Sequence, residues 1–131
     1  MSKYNISFGN VTNSQFVTGD YNHVEQTIGF SPEDVAALRG VFADLRANVA
    51  ADVDPGHQQE ALAEVGELES SLVTKTPDPG RVRKALRWFR EHAPQLAGTV
   101  ASVVVHPLVG RVVEGAGEAV AKRVREAAEE I

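Results

Sequence analysis

From Val35 to Ala128 the apolar residues recur at intervals of three and four, and breaks carrying proline or glycine cut this pattern into segments. That period lines one face of an α-helix with apolar side chains. Each such face has to be covered, so the pattern confines residues 31–131 to a set of packed helices. Ser31-Pro32-Glu33-Asp34 opens the first: Ser31 as N-cap, Pro32 at the first helical position, and acids in the positive first turn. Val35, Leu38, Phe42, Leu45 and Val49 make its stripe. Asp54-Pro55-Gly56 ends that helix, and Leu62, Val65, Leu68 and Leu72 make a second stripe. After Thr76-Pro77-Asp78-Pro79-Gly80, with Asp78 as cap, Val82, Leu86, Phe89 and Ala93 make a third. Pro94 bends that helix or begins another. Beyond Pro107 the residues Val109, Val112, Val113, Ala116, Val120, Val124 and Ala128 keep the period to the C-terminus. The expected fold class is mainly α, a bundle of four or five helices joined by short connections. Small residues in the last two (Ala97, Gly98, Ala101, Gly110, Gly115, Gly117 and Ala121) let helices approach closely.

Residues 1–30 are built from different material. They contain no Ala, Leu, Arg or Pro, yet hold five of the eight aromatics: Tyr4, Phe8, Phe16, Tyr21 and Phe30. Asn5, Asn10, Asn13, Asn22, Gln15 and Gln26 accompany them. Aromatic and branched side chains suit a pleated surface, and asparagine disfavours helix. The expected division is therefore a β-prone arm, residues 1–30, followed by the helical body, residues 31–131. Phe8-Gly9-Asn10-Val11 is echoed by Thr18-Gly19-Asp20-Tyr21-Asn22, each a short extended stretch turned by glycine and a following Asn or Asp. The arm is expected as a β-hairpin or β-arch. An isolated hairpin is marginal and leaves open edges. Stacked copies from several chains would pair those edges, align Asn and Gln in ladders and cover the aromatics. The gatekeepers against stacking, proline and dense charge, begin only at Ser31.

The stretch Phe16-Val17-Thr18-Gly19-Asp20-Tyr21-Asn22-His23-Val24 resembles the RIP homotypic interaction motif and its bacterial and fungal relatives, the amyloid signalling motifs. Gly19, Asn22 and Val24 match that pattern and Tyr21 fits it; Val17 stands where the family has glutamine, with Gln15 two places earlier. The resemblance implies an assembly motif in which Gly19 and Asn22 set the turn and Phe16, Val17, Tyr21 and Val24 supply packed side chains. It also implies cross-β polymers that join a sensor to an effector in cell death or immunity. The helical body is similar in character to the small adaptor or effector-associated domains that accompany such motifs in bacteria.

Charge is unevenly spread within a net −5. Residues 31–80 carry three basic and ten acidic side chains, whereas residues 81–90 carry Arg81, Arg83, Lys84, Arg87 and Arg90 and no acid. An acidic helical pair and a basic helix attract one another. The alternative use of Arg83, Lys84, Arg87 and Arg90, flanked by Trp88, is contact with an anionic membrane surface. Duplex DNA fits less well, because no recognition motif accompanies the cations and the chain as a whole is acidic.

Other classes find little in the sequence. With no cysteine, disulfides, thiolate metal sites and cysteine nucleophiles are excluded. His23, His57, His92 and His106 have no metal-ligand spacing, and Ser70, Ser71 and Ser102 lack a nucleophile's context. Phe8-Gly9-Asn10 and Gly115-Ala116-Gly117 have no lysine placed for a phosphate loop. No catalytic residue, metal or cofactor is assigned. Residues 92–110 hold no Lys, Arg, Asp or Glu, but Pro94, Gln95, Gly98, Ser102, His106 and Pro107 make them too polar for a constitutive span of about 20 apolar residues. They read as a buried or interfacial helix pair broken at Pro107. The first residues lack a secretory pattern, so the expected compartment is the cytoplasm, with membrane association on activation. The function expected is non-enzymatic self-assembly: the arm pairs with itself or with a similar motif in a sensor or effector, and the bundle acts as adaptor or effector. The alternatives are a structural homo-oligomer with the arm as a lid, and a membrane-active helical effector.

Overall fold

The computed structural model describes residues 19–129. Phe16 and Val17, and most of the expected arm, lie outside the described residues. Six helices form the body: α2 (Pro32–Asp52), α3 (Gln58–Leu72), α4 (Pro79–His92), α5 (Pro94–Val104), α6 (Pro107–Glu114) and α7 (Glu118–Glu129). A short helix α1 (Tyr21–His23) and a π-helical turn (Val24–Ile28) precede them. The fold is mainly helical, as the periodicity implies.

The caps explain where the helices begin. Ser31 Oγ accepts from the Asp34 amide at 3.1 Å, and Asp34 Oδ2 accepts from the Ser31 amide at 3.3 Å, a complete capping box. Asp78 Oδ1 accepts from the Arg81 amide at 3.2 Å, with Pro79 opening α4. Helix α4 lies at the centre, against α3, α5 and α7, and α2 packs on α3 and α5. Val35, Leu38, Phe42, Leu45 and Val49 are all buried, as are Val82, Leu86, Phe89 and Ala93. Phe42 and Phe89 are the largest fully buried side chains.

Three expectations need correction. On α3 the inward register is Ala61, Val65, Leu68 and Leu72, with Leu62 39% exposed. Residues 107–129 are two helices, because the chain turns through Gly115 to Gly117 and Gly117 has φ 121°, which side chains with a Cβ rarely adopt. The body thus has six helices where four or five were expected. Gly98 and Gly110 face open space, so they do not bring helices together. At Gly115 a Cβ would meet the movable end of the Ile28 side chain and lie 3.1 Å from the Val112 carbonyl.

The β-arm also needs correction where it can be seen. Among the described residues there is no strand, and residues 21–28 are helical. Residues 92–110 are indeed a helix pair broken at Pro107: α5 and α6 meet at a bend of 54°. Leu96, Val100, Val104, Val109 and Val113 from this pair are buried in the core. Among the described residues no single helix is long and apolar enough to cross a membrane, although α5 and α6 together reach that length and composition.

Candidate assembly segment and its docking site

Of the six residues expected to form an assembly motif, Gly19, Tyr21, Asn22 and Val24 are described, and they sit on a segment folded against the body. Asp20 caps α1 through its side chain, Oδ1 accepting from the His23 amide at 3.1 Å. Its own amide donates to the Val73 carbonyl at 2.7 Å, just past the end of α3. The Gly29 backbone turns left-handed, with φ 84°, and ends the π-helical turn. Phe30 then enters the core, its amide donating to the Val24 carbonyl at 3.2 Å.

A helical turn places residues three apart on one face. Tyr21 and Val24 therefore point inward together, and Val24 is fully buried. The Tyr21 hydroxyl donates to Glu69 Oε2. Glu69 is itself only 4% exposed, and its Oε1 accepts from Arg46 Nη2 at 2.6 Å. A buried carboxylate requires such partners, because removing a charge from water is costly unless it is paired. Burial drives the Tyr21 phenol far above its ordinary range, and the hydrogen bond to Glu69 and its negative charge push in the same direction. The hydroxyl therefore stays protonated and donates. Arg39 covers the other side of the ring, its Cζ 4.1 Å from the ring centre. A second ring–guanidinium contact closes the far end of the segment, Arg111 over Phe30 at 4.3 Å.

Gly19 fits this geometry for a packing reason. A Cβ there would lie 2.9 Å from Tyr21 Cε2 and 3.1 Å from Val73 Cβ. Asn22, by contrast, is exposed on the outer face of α1. Tyr21 thus packs against the helical body of its own chain through Glu69 and Arg46, partners that the sequence does not point to. Nothing local signals them: Glu69 lies 48 residues from Tyr21, next to an apolar stripe it does not extend.

The basic residues of α4 divide between two environments. Arg81 pairs with Glu67 at 2.6 Å, and Lys84 lies with Arg81, Glu64 and Glu67 around one cleft between α3 and α4. Here the acidic and basic helices do meet, as their charges require. Desolvation and the neighbouring Glu67 raise the Glu64 carboxyl above its usual range, while Lys84 opposes that shift. Arg83 is half-buried with partners of its own, Arg90 is exposed and partnered, and Arg87 is exposed. Trp88 stacks on His92 with ring centres 4.8 Å apart. Among the described residues no three His, Asp or Glu side chains converge as a metal site would need. An open apolar cleft of about 330 Å³ lies between the α5–α6 corner and α7, lined by Val104, Val105, Gly110, Ala121 and Val124 with Arg125 beside them.

No family model, curated protein or solved structure matches the chain.

Proposed function

We propose that this chain is a non-enzymatic assembly module. Residues 1–30 pair as strands with the same residues of sister chains, or with a similar motif in a sensor or effector, and the helical body serves as adaptor or effector in bacterial immunity or regulated cell death. The observation that carries this reading is the pattern of Gly19, Asn22 and Val24 within a stretch devoid of Ala, Leu, Arg and Pro. That stretch has strand-forming side chains, low charge and turn residues at the required places. The reading places the protein in the cytoplasm.

Asn22→Ala is the informative substitution. Asn22 is exposed, so alanine leaves the docked segment and the core intact while removing the turn residue. Gly19→Val is less clean, because its side chain would also collide with Tyr21 and Val73. Sedimentation velocity of the full chain is expected to show large assemblies for wild type and loss of them for Asn22→Ala, with equal helix content by circular dichroism. Equal assembly sizes for both would refute the reading.

A second reading has a structural observation in its favour. The docking of residues 19–30 on α2, α3 and α6 is what a lid on a structural oligomer would look like. Deleting residues 1–30 separates the two, with circular dichroism checking that the body stays helical. The lid reading predicts an unchanged oligomer, and the assembly reading predicts a monomer. A membrane-active effector would use the bent α5–α6 pair beside the cations of α4. It predicts leakage of anionic vesicles that fades on changing Arg83, Arg87 and Arg90 to Glu.

A further inference from the structure

Residues 19–28 are in a conformation their own chemistry opposes. Tyr21, Val24, Thr27 and Ile28 are strand formers, and Asn22 and His23 are poor helix formers. The backbone is nevertheless α-helical over Tyr21–His23 and π-helical over Val24–Ile28. π-Helical turns are rare and gather at functional positions. Disagreement between local preference and global fold is expected where a segment has a second use. What holds the helix is tertiary: the Tyr21–Glu69–Arg46 chain, Arg39 over the ring, the Asp20 amide on Val73, and the burial of Val24.

We infer that this docked helix is an autoinhibited form of the assembly motif, clamped by Glu69 and Arg39, and that a second copy already in extended form captures the segment when it undocks. The inference rests on the assembly reading above. The two forms exclude each other. In the docked helix Tyr21 and Val24 share the buried face, 9% and 0% exposed. Neither side chain can pack on the helical body and in a β-stack together. Backbone pairing is exclusive too, because the Asp20 amide already serves Val73 and the Phe30 amide serves Val24.

Capture of a minor state proceeds in proportion to its population. Loss of a buried, charge-assisted contact shifts the docked population about tenfold or more. Elongation onto a preformed seed is therefore the readout. Seeds are made from wild-type chain assembled at high concentration, and soluble full-length chains are added at low concentration. Glu69→Ala, which removes the acceptor for both Tyr21 and Arg46, is expected to elongate about tenfold or more faster than wild type. Arg39→Ala is expected to accelerate in the same direction, and Asn22→Ala to stall. Circular dichroism checks that the body remains helical; if Glu69→Ala unfolds it, the exposed Arg39→Ala decides the matter. Wild-type rates for Glu69→Ala and Arg39→Ala, with Asn22→Ala stalled, overturn the clamp and leave the assembly reading standing. Failure of every chain to elongate, or elongation of Asn22→Ala at the wild-type rate, overturns the assembly reading and the clamp with it.

Discussion

Replacing Tyr21 with phenylalanine removes one oxygen from the docked segment and keeps the ring that Arg39 covers. The missing hydroxyl donated to a buried carboxylate, and hydrogen bonds to charged groups contribute about 1.5–3 kcal/mol. Glu69 keeps Arg46 at 2.6 Å, so its charge is not stranded, which places the loss at the lower end, about 1.5–2 kcal/mol. At 1.4 kcal/mol per decade, the docking equilibrium falls about tenfold to thirtyfold. Native-state hydrogen exchange reads this directly, because the Asp20 amide is bonded to Val73 of the body and the Phe30 amide to Val24 in the segment's own turn, which docking holds in place. In Tyr21→Phe these two amides are expected to exchange about tenfold or more faster, with amides in the middle of α3 and α4 unchanged. Unchanged exchange at Asp20 and Phe30 would mean that the hydroxyl does not hold the segment. Acceleration by one common factor throughout would mean that the segment opens only when the whole body unfolds.

Three further outcomes follow from the same contacts. Because burial and Glu69 raise the Tyr21 phenol, the docked state holds its proton where the released state has lost it; docking therefore persists at neutral pH and weakens as pH climbs beyond about 10, and Tyr21→Phe abolishes this alkaline dependence in exchange measurements. Phe42→Ala empties a fully buried site on α2 and is expected to cost about 3–5 kcal/mol, read as a fall in Tm of about 10 °C or more. Ser31→Ala breaks the capping box of α2 and is expected to cost about 1 kcal/mol, as a lower urea midpoint with an unchanged slope.

The helical body was legible because its signals are local. Ser31 and Asp78 cap the helices they were expected to cap, and the stripes of α2 and α4 face inward throughout. The errors arose where tertiary structure overrode local preference. Ala61 displaced Leu62 from the core because the register of α3 is set by what it packs against, not by side-chain size. The turn through Gly115 to Gly117 interrupts a period that the spacing of Val120 and Val124 continues. The helix at residues 21–28 runs against its own propensities, and the side chains that impose it come from distant positions on α2 and α3. The docking site was not legible: Glu69, Arg46 and Arg39 lie far from Tyr21 in sequence and become its neighbours only in the folded chain.

The most direct measurement is the backbone conformation of Gly19, Tyr21 and Val24 in the full-length chain, by carbon chemical shifts, before and after it assembles. Helical shifts at Tyr21 and Val24 in the soluble chain that turn to extended values in sedimented material, with the shifts of α2 to α4 unmoved, would establish that one segment has two uses. Assemblies in which Tyr21 and Val24 keep their helical shifts would contradict it.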